Sequence, residues 1–112
     1  MDQAEFERTI EAALDELPDW ALPYLENVAV LAEEEDPDDP DLLGLYLGVP
    51  ETERGHEEPV DPPRILIFRR PIVAMCDGDL AMVREEIRIT VLHEIGHHFG
   101  LSEDQLSALG YE

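Results

Sequence analysis

The sequence predicts an α+β fold: a small domain with an N-terminal helix, a three- to four-stranded sheet, a long helix and a short C-terminal helix. Apolar residues recur at three- and four-residue steps in two segments, which is typical of amphipathic helices. Short runs rich in Val, Ile and Leu, bounded by Pro and Gly, are typical of strands. The 112 residues, 44% of them hydrophobic, fit one domain over 1–112 with a single core.

The first helix is predicted over residues 2–17, and we expect it to cover one side of the core. Pro18 ends it, because proline has no N–H group to donate and disrupts a helix interior. The apolar positions of this helix are Phe6, Ile10, Ala13, Leu14 and Leu17.

Strands are predicted in the middle of the chain. The segment NVAVLA, residues 27–32, is β-branched enough for a buried strand, and LLGLYLG suggests a short strand around 45–47. RILIF, residues 64–68, is the clearest strand in the sequence. We expect IVAM, residues 72–75, to extend that strand or to pair beside it after the break at Pro71.

The longest helix begins after Asp77 or Asp79, either of which can cap its N-terminus. Its apolar positions recur every four residues, at Val83, Ile87, Val91 and Ile95. Gly100 supplies the left-handed residue that ends it. Such a helix spans about 30 Å, so we expect it to be the central element. Ser102 and Gln105 form a capping-box pattern, which predicts a short final helix.

The composition is strongly acidic. The 28 Asp and Glu residues against 7 arginines give a net charge of −21, which repels nucleic acid and anionic membrane surfaces. The same field favours divalent cations and basic peptides, although a solvated acidic surface without a partner is the simpler interpretation.

The cellular setting expected from the sequence is the cytoplasm. Cys76 is the only cysteine, which excludes an internal disulfide and a cysteine-based zinc site. The acidic start of the chain lacks the features of a signal peptide, and no apolar run approaches the length of a membrane span.

Two charged loops separate the predicted strands. Residues 33–41, EEEDPDDPD, offer carboxylates to calcium but lack the glycine turn and closing glutamate of a calcium loop, which favours a solvated loop. Residues 49–63 form a long proline-rich loop that contains His56. A loop of this length in so small a domain is often mobile or functional.

The long helix carries the pattern H-E-x-x-H. His93 and His97 are four residues apart, so their side chains stand one turn above each other and can bind a single metal ion. Glu94 is rotated by about 100° around the helix axis and can reach a metal-bound water without being a ligand. The pattern therefore supplies two ligands and a general base for zinc-activated hydrolysis.

The residues after this pattern carry a family resemblance. Gly100 lies seven residues after His93 and Glu103 ten after it, a spacing that resembles the extended zinc motif of the metzincin metallopeptidases. The chain from about residue 2 to 110 resembles more closely the small bacterial minimal zincin metallopeptidases. The shared features are an N-terminal helix, an LLGLY-like segment, an R-I-x-I-F/Y-R-R-P strand, and HEIxHHFG followed by an acidic residue.

The resemblance implies an α+β zincin-like core with Zn²⁺ as its cofactor. It implies His93 and His97 as zinc ligands, Glu94 as catalytic base and Glu103 as third ligand, where the family usually has aspartate. The sequence has no methionine after the motif and only nine residues after Glu103, so we expect the floor and far wall of a peptide-binding cleft to be missing.

Other roles remain open for several residues. Glu103 is also favoured at a helix start by the helix dipole without any metal, and Asp104 can serve either role. His98 is about 100° off the ligand face, which favours packing or solvent exposure over ligation. His56 and Tyr111 can stabilise an oxyanion, but a surface position is the simpler interpretation for both.

Three functional hypotheses follow. The first is a zinc peptidase whose peptide or protein substrate lies along a sheet edge, at the strand 64–68 or the segment 72–75. The second is a metal-stabilised binding or regulatory module without turnover. The third is a hydrolase that needs a partner protein to complete its cleft.

Overall fold

The computed structural model of the protein describes residues 1–48, 63–100 and 104. The elements in chain order are α1 (Gln3–Asp15), a 3₁₀ turn (Asp19–Ala21), α2 (Leu22–Leu25), β1 (Ala29–Glu33), β2 (Gly44–Leu47), β3 (Arg64–Phe68), α3 (Arg69–Met75) and α4 (Leu80–His98). The α+β class is confirmed. The predicted C-terminal helix lies outside the described residues except for Asp104, which is helical.

The described sheet has three strands in the order β1-β3-β2, with β3 in the centre. β1 runs parallel to β3, and β2 runs antiparallel to it. Ile65 and Ile67 of β3 are fully buried, whereas Leu31 of β1 is 44% exposed on the opposite face. Helices therefore cover one face of the sheet. Because β3 is hydrogen-bonded on both sides, the prediction that strand 64–68 offers a free edge to substrate is wrong.

The segment 72–75 is helical, so the prediction of a strand there is wrong. α3 begins at Arg69 directly after β3, with Pro71 in its first turn. A proline is tolerated in the first turn because the N–H groups there have no partner within the helix. Ile72 is fully buried in the core, and this tertiary contact outweighs the β propensity of the Ile and Val residues.

Polar contacts fix the chain where β3 turns into α3. The Arg69 guanidinium donates to both carboxylate oxygens of Glu34 and, at 2.7 Å, to the backbone oxygen of Met1. Arg70 reaches the carboxylates of Glu34 and Glu35 at 3.1 and 3.2 Å. These contacts tie the end of β1, the start of α3 and the N-terminus to one another.

α1 follows the predicted pattern closely. The Asp2 side chain caps it by accepting a hydrogen bond of 2.8 Å from the backbone N–H of Glu5. Phe6 and Ala13 are fully buried against the core, and α1 packs on both α4 and β1. Burial of this face contributes more to helix stability than local propensity does.

α4 is the central helix, as predicted, and its 19 residues span about 28 Å. Asp79 is the N-cap, because its side chain accepts from the backbone N–H of Met82 at 3.0 Å. The buried face consists of Val83, Ile87, Thr90, Val91, Leu92, Ile95 and Gly96. Gly100 follows the helix with φ +72°, the left-handed conformation predicted for it. Within the described residues no helix is long and apolar enough to cross a membrane.

Candidate metal centre

The two histidines of the H-E-x-x-H pattern lie side by side on α4. The ring centroids of His93 and His97 are 5.3 Å apart, with an angle of 52° between the ring planes. His93 is partly buried and His97 is exposed. The neighbouring Leu92, Ile95 and Gly96 are buried and hold this part of the helix against the core. Both imidazoles therefore project from a fixed stretch of backbone toward an open surface.

Glu94 lies between the histidines in sequence and is partly buried. Burial raises the pKa of its carboxyl group, while His97 and His93 act in the opposite direction. A raised pKa brings a carboxylate closer to the pH at which it exchanges protons efficiently. Glu94 thus has the environment expected of a general base.

All three residues line one cleft with a volume of about 450 Å³. One wall is α4, which contributes Glu86, Ile89, Thr90, His93, Glu94 and His97. The other wall is the chain leading into β2, which contributes Asp39, Asp41, Leu42, Leu43 and Gly44. This volume is within the range of about 300–1,000 Å³ that is typical of ligand-binding pockets.

The two walls meet closely where β2 begins. A Cβ atom placed on Gly44 would lie 2.5 Å from Cγ2 of Thr90 and 3.2 Å from the backbone oxygen of Leu66. Thr90 is buried one turn before Glu94. The absence of a side chain at position 44 therefore lets the edge strand approach the helix beside the histidines.

Carboxylates of the acidic loop accept hydrogen bonds from backbone N–H groups of the same loop. The Asp36 carboxylate accepts hydrogen bonds from the backbone N–H groups of Asp38 and Asp39 at 2.8 and 2.9 Å. Asp39 accepts from the backbone N–H of Asp41 at 3.1 Å, and residues 37–41 are exposed. These turns are those of a solvated loop. The sequence interpretation did not anticipate that the end of this loop forms a wall of the cleft.

Glu86 is a second cleft residue that the sequence interpretation missed. It is partly buried, and burial raises the pKa of its carboxyl group; the charge of Glu85 adds to this, while His93 opposes it. Its position seven residues before His93 was a usable signal, since residues seven apart share a helix face.

His98 packs away from His93 and His97, in agreement with the favoured interpretation of its position. Its ring stacks on Tyr46 of β2 with centroids 3.7 Å apart and 18° between the planes. It also contacts Phe99 edge-on, with centroids 4.8 Å apart. This stack joins the last turn of α4 to the edge strand.

The predicted third ligand, Glu103, lies outside the described residues, as do His56 and Tyr111. Asp104 is described and exposed. In residues 1–48, 63–100 and 104 no group of three or more His, Cys, Asp or Glu side chains is arranged to hold a metal ion. The described chain thus brings together His93, Glu94 and His97, and the third ligand remains a prediction.

The described donor set suits zinc. Zinc binds imidazole nitrogen at about 2.0–2.1 Å, and a catalytic site uses three protein ligands and one open position. Two adjacent imidazoles with a carboxylate beside them would supply two such ligands, and the cleft has room for water and substrate. The residues present therefore fit a zinc ion, with one ligand still to be supplied.

The fold and the site define a small α+β domain with a candidate metal centre on its central helix. A family model for zincin-like metallopeptidases matches residues 25–111, most of the chain. The protein belongs to this family of zincin-like metallopeptidases. No curated protein matches the chain.

Proposed function

We propose that the protein is a zinc-dependent peptidase with zinc held by His93, His97 and Glu103. The observation that carries this proposal is the adjacency of two imidazoles and a partly buried glutamate in one open cleft of a zincin-like chain. Bound zinc lowers the pKa of a coordinated water to about 7 and polarises a carbonyl group.

Glu94 is the general base in this proposal. It accepts a proton from the attacking water and returns it to the nitrogen of the leaving amine. Its partial burial supports the assignment, since a carboxyl group with a raised pKa holds the proton better between these two steps.

The substrate lies in extended form beside β2 in this proposal. β2 is an edge of the described sheet, and its first residue, Gly44, lines the same cleft as the histidines. An extended peptide pairs with such an edge through its main chain. β2 thus replaces both segments that the sequence had suggested for this role.

The test combines zinc stoichiometry with peptide cleavage. We expect one zinc per chain in the reconstituted protein, loss of zinc in His97→Ala, and weaker zinc binding in Glu103→Ala. His98→Ala removes an adjacent histidine that lies outside the cleft, so it should still bind one zinc per chain, with a lower affinity than the wild type because the stack on Tyr46 is lost. Glu94→Gln should keep zinc but cleave peptides about 10²–10⁴-fold more slowly.

The alternative functions give different results. A metal-stabilised module without turnover predicts that His97→Ala destabilises the fold, that Glu94→Gln changes nothing, and that the wild-type protein cleaves no peptide. A protein that needs a partner to complete its cleft predicts zinc binding without cleavage until the partner is added.

A further inference from the structure

The cleft extends along α4 well beyond the histidines, as far as Glu86. Glu86 and His93 are seven residues apart on the same helix face, which corresponds to about 10 Å along the axis. Both side chains line the cleft. A substrate centred on the histidines and Glu94 therefore passes within reach of a carboxylate two helical turns away.

Within residues 1–48, 63–100 and 104, no side chain forms a hydrogen bond or an ion pair with the Glu86 carboxylate. The adjacent Glu85, by contrast, is paired with Arg88 at 2.6 Å. Partial burial reduces the solvent screening of the Glu86 charge, so a cation bound there interacts with it more strongly than with an exposed carboxylate.

The surface between Glu86 and the histidines suits an aliphatic chain. Ile89 lies between them on α4, and Leu42 and Leu43 face it from the other wall. Asp39 and Asp41 add negative charge at the rim, and no Lys or Arg is found among the described residues that line the cleft. Lys and Arg side chains bury their methylene stems on apolar surface while the charged end reaches a polar group.

We propose that the cleft selects peptides with a Lys or Arg side chain next to the scissile bond, with Glu86 as the partner of the cationic end. The inference rests on the proposed function, because the histidines and Glu94 define where the scissile bond lies. The aliphatic stem packs on Ile89 and the two leucines, and Glu86 determines specificity without taking part in bond cleavage.

The free amino terminus of a peptide is the other source of the same cationic chemistry. An extended backbone advances about 3.3–3.6 Å per residue, so an amino terminus reaches Glu86 only when it lies about three residues from the scissile bond. A basic side chain covers the distance from the adjacent residue.

The test measures peptide binding separately from cleavage. Fluorescence anisotropy with zinc-loaded Glu94→Gln protein compares acetylated, amidated hexapeptides that carry one Arg with peptides that carry citrulline, its neutral isostere. The comparison is repeated in Glu94→Gln combined with Glu86→Gln, and with Glu11→Gln as matched control. Glu11 is exposed on α1, outside this cleft, so its variant removes the same charge without changing the cleft.

We expect the Arg peptide to bind at least tenfold more tightly than the citrulline peptide, and this preference to disappear with Glu86→Gln but to persist with Glu11→Gln. Equal affinity for the two peptides, or a preference that survives Glu86→Gln, overturns the inference. A Glu86-dependent gain from a free amino terminus on the citrulline peptide, in place of the Arg preference, overturns the assignment to a side chain.

Cleavage by the wild-type protein separates this inference from the proposed function. Selective binding of the Arg peptide without cleavage upholds the role of Glu86 and contradicts the peptidase. Cleavage of both peptides at the same kcat/KM upholds the peptidase and overturns the role of Glu86.

Discussion

Gly44→Ala tests whether the close contact between β2 and α4 sets the shape of the cleft. The new methyl group would lie 2.5 Å from Cγ2 of Thr90, against about 3.5–4.0 Å for an ordinary carbon contact. Thr90 is buried, and its β-branched side chain has few rotamers in a helix. The backbone oxygen of Leu66, 3.2 Å away on the other side, limits movement of the strand in that direction.

The expected change in the free energy of unfolding for Gly44→Ala follows from two opposing effects. Overpacking costs typically about 1–3 kcal/mol, while replacing Gly by Ala at a compatible backbone conformation stabilises by about 0.4–1 kcal/mol through the unfolded chain. Gly44 does not have a left-handed φ, so both effects apply. We expect Gly44→Ala to lower the free energy of unfolding by about 1–2 kcal/mol, and the melting temperature by several degrees.

A double-mutant cycle with Thr90→Ser identifies the cause. Ser lacks the Cγ2 methyl group, so Thr90→Ser alone should cost about 0.8 kcal/mol, but in the Gly44→Ala protein it should recover most of the lost stability. Urea denaturation of the four proteins gives the coupling energy. A neutral Gly44→Ala, or additive effects of the two changes, would refute the reasoning. If the contact also positions the cleft, Gly44→Ala raises KM for peptides and Thr90→Ser partly restores it.

Three further perturbations give distinct results. Asp79→Ala removes the cap on the Met82 N–H and should cost about 0.5–2 kcal/mol in urea denaturation, whereas a loss near zero would contradict the capping role. Hydrogen bonds from Arg69, together with Arg70, lower the pKa of Glu34 in the folded protein. The ionised Glu34 therefore stabilises the fold at pH values above its pKa in the unfolded chain. This stabilisation is lost as the pH falls through the lower pKa of the folded protein. The free energy of unfolding should therefore decrease less steeply with falling pH in Glu34→Gln than in the wild type, and identical slopes in the two proteins would contradict the pairing of Glu34 with the arginines. Burial raises the pKa of Glu86, so ionisation of this carboxyl group destabilises the folded protein at pH values above its pKa in the unfolded chain. Glu86→Gln should therefore stabilise the metal-free protein near pH 7. A loss of stability at that pH would contradict this effect of burial.

The elements that the sequence predicted well are those whose apolar positions and N-cap residues can be recognised from the local sequence. α1 and α4 carry apolar residues at helical spacing with an Asp cap, and β3 is a short run of apolar residues. α3 was missed because Ile72 and Val73 fit a strand locally. Their helical conformation depends on a core contact and on Arg69 held by Glu34, which lies 35 residues away.

The candidate site likewise contains residues that could be predicted from the local sequence and residues that could not. His93, Glu94 and His97 were predictable because their geometry depends only on spacing along one helix. The opposite wall of the cleft was not predictable, because Asp41 and Gly44 approach α4 through pairing of β2 with β3. The charged residues near Asp41 suggested only a solvated loop, since local sequence does not indicate which surface a loop covers.

The stack of His98 on Tyr46 has a consequence for the adjacent His97, which is a predicted zinc ligand. The last turn of a helix ordinarily frays, because its carbonyl groups lack partners within the helix. Here that turn carries His97, and the aromatic contact ties it to a strand that is itself hydrogen-bonded to the centre of the sheet. A helix turn that is already held in place loses less backbone conformational entropy when its histidine binds a metal ion. Part of the zinc affinity that we propose for this centre would thus originate in a ring that does not contact the metal.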